Sequence, residues 1–299
     1  MPLPAAIGIL MPYEKSIHLL PRGSVMVECG PMRLVIDARV GKVPQPQQAV
    51  RAADEAVRFL EAVARSRPFL GRDYRRLMPH ITDPLALKMV ASVKAVGDQD
   101  LTPMAAVAGT IADAVADFLF ERGMTRVLVD NGGDVAIRSC DGEPVTVGIR
   151  PQVGTKSISH AIVLGPEGTA WGIATSGLGG RSLTRGVADA ATIVAADASL
   201  ADAAATAVAN ASYVTHSAVA RKPAEEIDPF TDIAGLEVTV NVGPLPEEKK
   251  HQAIDHAIRR AEKLVGNGII LGAFVACQGR TAMTRFVVDR LITNPQKPG

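Results

Sequence analysis

The sequence predicts an α+β fold in which antiparallel sheets pack against pairs of helices. Segments rich in β-branched residues come in pairs, a glycine or proline turn separates the members of each pair, and helices follow the pairs rather than single strands. A composition of 47% hydrophobic and 21% charged residues is that of a globular protein. We expect a single domain over residues 1–299, with its main motifs in 104–210 and a strand–helix–strand segment in 233–292.

The amino-terminal third contains one predicted strand pair and two predicted helices. Ser24 to Val40 holds VMVEC and RLVIDA around a Gly30-Pro31 breaker, which predicts two strands. From Gln47 to Arg67, apolar residues recur three and four positions apart, which predicts a helix. A second helix is predicted from Pro84 to Val96, because proline suits a first helical turn and Gly97 follows the last turn.

The middle third begins with the clearest predicted helix and continues as sheet. Thr102 is the predicted cap, Pro103 suits the first turn, and the helix should end at Gly123. Alanine and glycine occur on several of its sides, as expected of a helix that packs closely against a sheet or a ligand. Residues 126–177 then predict a β-meander of at least four strands.

The carboxyl-terminal third returns to helices and strands. Ser199 with Asp202 predicts a capped helix that runs to Ala211. Two prolines and several charges in residues 221–232 predict a loop or boundary. The remaining predictions are a strand at 237–242, a helix from Pro246 to Val265, and strands at 269–277 and 282–291 around Gly279.

Composition limits the partners and the location. A net charge of +1 without a basic tail argues against a nucleic-acid partner. Cys29, Cys140 and Cys277 are widely spaced and form no CxxC pair, which favours a reduced compartment. Residues 1–15 lack the basic region of a signal peptide. The sequence contains no uninterrupted run of 18 apolar residues, so no membrane span is predicted. We expect a cytoplasmic protein, and the sequence leaves open whether it forms a homodimer.

Two adjacent glycines, Gly132 and Gly133, lie between predicted strands in VDNGGDVAI. Glycine permits positive φ and leaves backbone N–H groups unobstructed, so this turn could lie against a phosphate or a ring. A plain hairpin explains the same pattern, with Asp130 and Asp134 satisfying backbone donors.

A second candidate is the segment ATSGLGGRSLTRG at residues 174–186. Its hydroxyls, its glycine backbone and the guanidinium groups of Arg181 and Arg185 suit an anionic ligand. The order of residues matches neither the P-loop pattern nor GxGxxG. A mobile surface loop is the alternative interpretation.

The third candidate is the pair Asp202 and Thr206, four residues apart on one face of a predicted helix. A carboxylate and a hydroxyl oxygen are hard ligands of the kind that Mg²⁺ prefers. The structural alternative is that Asp202 complements the helix dipole while Thr206 bonds a carbonyl one turn back.

These segments occur in an order that resembles the ApbE-like FAD:protein FMN transferases. In that family a Gly/Ala-rich helix leads into a strand ending in N-x-G-G-D, followed by an A-T-S-G loop and an A-D-A-x-x-T-A helix. This sequence has NGGD at 131–134, ATSG at 174–177 and ADAAATA at 201–207. The resemblance implies a tandem T-fold-like arrangement, and transfer of FMN from FAD to a protein hydroxyl with Mg²⁺ and release of AMP.

The resemblance also implies roles for individual residues. Asp202 and Thr206 become side-chain ligands of Mg²⁺, and a backbone carbonyl at Ala105 or Ala106 completes the set. Arg181 and Asp189 become the predicted catalytic residues. The residues expected to bind the flavin nucleotide are Asn131, Gly132, Gly133, Asp134, Thr175, Ser176, Gly177 and Arg185.

Two departures from the family pattern keep other functions open. Ala108-Gly109 stands where the family has Lys-Gly, and residues 181–189 replace its His-x-I-x-D-P-x-T-G stretch. One alternative is a protein that binds flavin or another phosphate ligand without turnover. Another is an enzyme of the same fold acting on a different small anion, held by Arg150, Arg181 and Arg185.

Overall fold

The computed structural model describes residues 13–151 and 159–293. Its strands are β1 (Lys15–Leu19), β2 (Val25–Cys29), β3 (Met32–Val40), β4 (Val43–Pro44), β5 (Arg126–Asn131), β6 (Val135–Ser139), β7 (Val145–Ile149), β8 (His160–Leu164), β9 (Ala170–Ser176), β10 (Ala190–Ala195), β11 (Val219–Pro223), β12 (Glu237–Val242), β13 (Gly272–Cys277), β14 (Arg280–Met283) and β15 (Leu291–Thr293). Its α-helices are α1 (Pro46–Ser66), α2 (Tyr74–Leu77), α3 (Pro84–Val96), α4 (Val107–Phe120), α5 (Ala198–Ala211), α6 (Ala224–Ile227), α7 (Glu247–Gly266) and α8 (Arg285–Val288). The predicted α+β class is confirmed.

One long antiparallel sheet organises the described residues. Its strands follow the order β1-β2-β3-β5-β6-β9-β10-β13-β14, and β4 pairs with β3 at the side. A separate three-stranded sheet has the order β15-β8-β7, and β11 pairs with β12. Strands β5, β6 and β9 lie in the middle of this order. The NGGD and ATSG motifs, which adjoin these strands, therefore lie near the centre of the long sheet.

The long sheet has a core on each of its faces. Leu34, Ile36 and Ala38 alternate along β3 and are buried on the side of the helices. On the opposite face, the three-stranded sheet packs over β6, β9, β10 and β13 through a second apolar cluster that includes Ile162, Trp171 and Phe274. The buried residues of this second cluster include none from β3 or β5, so part of this face is available for a cavity.

Small residues let the helices and strands approach each other closely. A Cβ atom at Gly109 on α4 would lie 2.1 Å from the Ala198 carbonyl oxygen at the start of α5. A Cβ atom at Gly172 on β9 would lie 2.0 Å from the carbonyl carbon of Asp197. Because backbone cannot move aside as a flexible side chain can, both positions require glycine at this spacing.

A buried carboxylate joins the two central helices to the sheet. Asp113 on α4 is fully buried and accepts hydrogen bonds from Arg138 and Lys88, both at 2.9 Å. It also accepts the backbone N–H groups of Ala198 at 3.1 Å and Ser199 at 2.9 Å, which are the first donors of α5. Burial opposes ionisation, but the charges of Lys88 and Arg138 hold the pKa of Asp113 below its ordinary value.

Two predicted helix starts are wrong in detail. The Thr102 hydroxyl donates to Asp232 rather than capping a helix, and the segment Pro103–Ala106 forms a 3₁₀-helix before α4 begins. Helix α5 is capped by Asp197, whose carboxylate accepts the Leu200 N–H at 2.8 Å. The hydroxyl of Ser199 is instead within 2.7 Å of the Thr110 hydroxyl in the interior.

Three other predictions of secondary structure are also corrected. Residues 126–177 do not form a meander, because β7 and β8 leave the long sheet and β6 pairs directly with β9. The predicted loop at 221–232 contains the end of β11 and helix α6. The predicted strand at 282–291 is interrupted by the short helix α8.

One described segment, Pro103–Phe120, is long and apolar enough to cross a membrane by length and composition alone. However, 56% of it is buried within the protein, and it carries the ion-paired Asp113. These are properties of a core helix. The predicted absence of a signal peptide concerns residues 1–15, of which 1–12 lie outside the described residues.

Replacing Asp113 tests how strongly this network stabilises the fold. We expect Asp113→Asn to lower the free energy of unfolding by about 3–5 kcal/mol, because Arg138 and Lys88 would lose their buried partner. Asp117→Asn is the matched control, since Asp117 also pairs with Arg138 but is 47% exposed, and it should cost less than about 1 kcal/mol. Urea unfolding of both variants measures the difference, and equal losses would contradict the assigned role.

Candidate functional site

The turn between β5 and β6 has the geometry of a tight hairpin. The Asn131 N–H donates to the Asp134 carbonyl at 3.0 Å, and the two residues between them, Gly132 and Gly133, have φ of 70° and 114°. Only glycine adopts both angles readily, so the turn depends on this pair. The Asp130 carboxylate accepts a hydrogen bond from the Gly133 N–H at 2.7 Å. Asp130 thus satisfies a backbone donor of the turn, as expected for a plain hairpin.

Two hydrogen bonds tie this turn and helix α5 to the start of α4. The buried Asn131 amide donates to the Ala108 carbonyl at 3.1 Å. The Gly109 N–H donates to Asp202 Oδ2 at 3.0 Å. The NGGD and ADAAATA motifs, which are about 70 residues apart in the sequence, therefore meet at adjacent residues of α4.

The same contact leaves a backbone carbonyl outside the helical ladder. The ladder of α4 begins after Ala105, because the Gly109 N–H is directed to Asp202. The next carbonyl, that of Ala106, already accepts from the Thr110 hydroxyl at 2.6 Å. Of the two carbonyls predicted as ligands, Ala105 is therefore the better placed to accept a cation.

Two carboxylates near this junction have raised pKa values. Burial raises the pKa of Asp202 to about 7, although hydrogen bonds from the Gly109 and Ala108 N–H groups oppose the shift. Burial and the charges of Asp202 and Asp130 raise the pKa of Asp134 well above its ordinary value, while Arg181 acts in the opposite direction. A cation bound beside Asp134 and Asp202 would favour the ionised forms of both carboxylates.

Thr206 lies on α5 one turn after Asp202 and is half-buried. None of the described residues holds its hydroxyl in a hydrogen bond, whereas Thr110 bonds the carbonyl one turn back. A carboxylate, a free hydroxyl and a carbonyl are all hard oxygen donors, so Asp202, Thr206 and Ala105 fit Mg²⁺. Within the described residues no group of three His, Cys, Asp or Glu side chains could hold a metal, so a softer transition-metal site of that kind is absent there.

A cavity of about 680 Å³ opens on the other side of the NGGD turn, between the long sheet and the three-stranded sheet. Gly132 and Gly133 form part of its wall. Its apolar lining comes from Val35, Leu128, Val135, Val147 and Ile173, and its polar lining from Arg33, Asp37, Asp130, Thr146, Arg150, Thr175 and Thr192. An apolar slot with charged groups suits a flat ring system that carries an anionic tail.

Arg181 covers the outer face of the turn. Its guanidinium group donates to the Pro31 carbonyl at 3.1 Å and to the Asn131 carbonyl at 3.4 Å. A Cβ atom at Gly132 would lie 1.8 Å from this guanidinium. Arg181 is exposed, so it can contact both the turn and a ligand that lies on it.

The side chains of the ATSG segment lie on alternate faces of the sheet. Thr175 points into the cavity, with its hydroxyl 2.8 Å from that of Thr192, whereas Ser176 is buried. Gly177 packs against the backbone of Asp189, since a Cβ atom at Gly177 would lie 2.5 Å from the Asp189 carbonyl oxygen. Of these three residues, the structure places Thr175 where it could touch a ligand in the cavity.

Two predicted residues lie apart from the carboxylate pair. Arg185 pairs with Asp100 at 2.7 Å in a second, smaller cavity of about 270 Å³ at the carboxyl end of α5. Asp189 accepts the Gln278 N–H at 2.5 Å, and its pKa is raised by burial and not by Asp134 or Asp202. The catalytic role of Asp189 remains a prediction, and the contact with Gln278 is a structural role that it already has.

Sequence reasoning missed the polar residues of β3 that line the cavity. In RLVIDA the buried Leu34 and Ile36 alternate with Arg33 and Asp37. A strand with charges on one face in the middle of a sheet signals that this face is not packed by another layer. That alternation could have indicated the cavity before the structure was known.

A family model matches most of this sequence. The sequence matches the family described as "AbpE bacteria" over residues 17–283. The chain belongs to this family. The ApbE-like relationship predicted from the motifs is confirmed, and it extends well beyond residues 104–210.

Curated relatives share part of the chain. The UPF0280 protein Mbar_A3697 of Methanosarcina barkeri is 38% identical over 165 residues, which are 54% of this chain and 64% of that protein. A UPF0280 protein of Methanococcoides burtonii is 38% identical over 134 residues, which are 44% of this chain and 54% of that protein. The chain thus spans between half and two thirds of the length of these relatives.

Among solved structures, the apo form of the Pseudomonas stutzeri flavinyl transferase ApbE is similar, with a TM-score of 0.48 and 14% identity. The comparison covers 94% of this chain and 99% of that one.

Replacing Asp202 tests the cation site. We expect Asp202→Asn to retain the contact with the Gly109 N–H through its amide oxygen and to relieve the repulsion with Asp134. Stability without Mg²⁺ should therefore be unchanged or higher, while the rise in Tm that Mg²⁺ gives the wild type should disappear. Thermal unfolding with and without excess Mg²⁺ measures both effects.

The control is Asp255→Asn, which removes a 57% exposed carboxylate from α7. This variant should keep the Mg²⁺-dependent rise in Tm. An equal rise in the Asp202 variant would show that the cation binds elsewhere.

Proposed function

We propose that this protein is a Mg²⁺-dependent flavin-nucleotide enzyme that transfers FMN from FAD to a hydroxyl group of an acceptor protein. The observation that carries the proposal is the meeting of Asp202, Gly109 and the NGGD turn beside a cavity of about 680 Å³. Membership of the AbpE family supports the same assignment.

The cavity supports a nucleotide as the ligand. Its volume lies within the usual range for small-molecule sites, about 300–1,000 Å³. The apolar side chains of Val35, Leu128 and Ile173 offer surface to a ring, and the glycine turn lets a phosphate approach backbone. Arg181 would donate hydrogen bonds to phosphate oxygens at the outer face of the turn.

The proposed reaction breaks one phosphoanhydride bond and forms one phosphoester bond. The acceptor hydroxyl oxygen attacks the FMN phosphorus of FAD, its proton passes to solvent or to a nearby base, and AMP leaves. Mg²⁺, when bound by Asp202, Thr206 and the Ala105 carbonyl, would neutralise charge on the phosphates. The Asn131 amide has a positioning role, because its bond to Ala108 fixes the turn against α4.

A binding protein without turnover is the second candidate, favoured by one specific contact. At the place of the family's lysine, Ala108 contributes only a backbone carbonyl, which already accepts from Asn131. Asp189, the acid nearest the missing histidine motif, is bonded to the Gln278 N–H. Retention of flavin through purification without release of AMP would support this candidate.

Product analysis tests the transferase directly. Purified protein is incubated with FAD, Mg²⁺ and candidate acceptor proteins, and we expect AMP release together with flavin fluorescence that stays on the acceptor under denaturing conditions. Thr206→Val, which keeps shape but removes the hydroxyl, should lower the rate by at least about tenfold, because loss of a metal ligand weakens the site.

Thr206→Ser is the matched control, because it keeps the hydroxyl and should retain most of the activity. Equal rates for the valine and serine variants would remove Thr206 from the site. The complete absence of AMP with every acceptor tried would contradict the transferase.

A further inference from the structure

Strand β7 lies at an edge of the three-stranded sheet. It pairs with β8 along its whole length, from Val145 to Ile149, and no described residue forms a backbone hydrogen bond with its other side. A strand in this position offers unpaired N–H and C=O groups to a further strand.

The pairing of β8 shows which groups of β7 point to the free side. The Val163 N–H on β8 donates to the Arg290 carbonyl, just before β15, at 3.0 Å, so it points away from β7. Val163 is the register partner of Thr146. In an antiparallel pair, a residue opposite such a partner directs its own N–H and C=O to the far side of its strand. Thr146 and, two residues later, Gly148 therefore direct their backbone groups to the free edge.

This free edge borders the large cavity. Thr146, Val147 and Gly148 all line the cavity, although the side chains of successive residues point to opposite faces of a strand. The cavity therefore runs along the edge of β7 and not along one face of it. The opposite wall is the long sheet, where Val35 and Leu128 line the cavity. A strand added to β7 would lie about 4.8 Å from it and would border the same space.

Strand β7 lacks the features that usually protect an edge strand. Proteins block exposed edges with charged side chains, with proline or by keeping the strand very short. The sequence of β7, VTVGI, has neither a charge nor a proline over five residues. The other described edge strands of four residues or more all carry charges, namely Lys15 on β1, Arg221 and Lys222 on β11, Glu237 on β12 and Arg280 on β14. An unblocked edge beside the candidate active site favours the addition of a strand from another protein.

The charge at the end of β7 favours an acidic partner. Arg150 directly follows β7, lines the cavity and is exposed. None of the described residues forms an ion pair with it. The acids of the cavity are already engaged, because Asp37 pairs with Arg39 at 3.0 Å and Asp130 accepts the Gly133 N–H at 2.7 Å. The accessible charge beside this edge is therefore positive, and it would attract a segment that carries a carboxylate.

We propose that β7 is the docking edge for the acceptor protein, an extended acidic segment of which adds to the three-stranded sheet as a fourth strand. Its main chain would bond the N–H and C=O groups of Thr146 and Gly148. Side chains on one face of the added strand would point towards the long sheet, so a serine or threonine there would bring its hydroxyl group into the cavity. The proposal rests on the proposed function for the identity of the partner, whereas the free edge follows from the strand pairing alone.

Amide hydrogen exchange with a peptide probe tests the docking edge directly. The probe is a proline-free pool of random heptapeptides with glutamate at each end, because main-chain bonds supply most of the affinity in strand addition and tolerate many sequences. A saturating amount of the pool should slow exchange of the Thr146 and Gly148 amides, resolved by NMR, by about tenfold or more. The same pool with every backbone nitrogen methylated is the control. It has no N–H donors, its methyl groups clash with the edge, and it should give no protection.

Proline variants test the edge through the protein itself. Thr146→Pro removes an outward N–H and keeps the bonds between β7 and β8, and it should raise the apparent Kd of the pool by about tenfold. Thr146→Val keeps the N–H and should bind as the wild type does. Thr293→Pro is the matched control, since β15 lies at the opposite edge of the same sheet and the same pairing pattern directs the Thr293 N–H outward. This variant should keep the wild-type Kd.

Equal protection by the methylated pool, or an equal loss of binding in Thr293→Pro, would overturn the docking edge. Protection of Thr146 and Gly148 that needs no peptide and grows with protein concentration would also overturn it, because a second copy of this chain would then occupy the edge. The acceptor assay separates this proposal from the proposed function. AMP release without protection of β7 would overturn the docking edge and leave the transferase intact, whereas protection without AMP release from any acceptor would support the edge and contradict the transferase.

Discussion

The buried carboxylate of Asp113 fixes the geometry on which the candidate site depends. It joins α4 to Arg138 on β6 and to the first N–H groups of α5, so three elements share one charged centre. A change in the register of any of them would leave a buried charge without a partner, which is strongly unfavourable. The NGGD turn lies four residues before Arg138, and Asp202 lies three residues after Ser199. Both motifs are therefore held in position by the network around Asp113.

Close packing then brings the two motifs within hydrogen-bonding distance. Gly109 admits the Ala198 carbonyl where a Cβ atom would be, and its backbone N–H donates to Asp202. The contact with Asp202 lies in the first turn of α4, whose helical ladder begins after the Ala105 carbonyl. One small residue thus determines the distance between α4 and α5 and the set of oxygen atoms that could bind a cation.

The sequence predicted the elements whose signal is local. Helix α3 has the predicted bounds and α1 is shifted by one residue, because apolar periodicity and terminal proline or glycine are local properties. The start of α5 was misassigned because Asp197 and Ser199 both suit a cap. Tertiary contacts with the hydroxyls of Ser92 and Thr110 draw the Ser199 hydroxyl inward, and no local pattern shows them. The departure of β7 and β8 from the long sheet depends on strand pairing across the fold, which no local pattern encodes.

The candidate site likewise combines features with a local sequence signal and features that depend on tertiary contacts. Asn131 and Asp202 both contact the start of α4, as their order in the motifs suggests, but Arg185 follows ATSG closely in sequence and lies in a different cavity. Asp134 and Asp202 repel each other when both are ionised, so folding around an empty site leaves them partly protonated or costs stability. Under the proposed function, a cation bound by Asp202 and the hydroxyl of Thr206 would offset this charge and favour the ionised carboxylates.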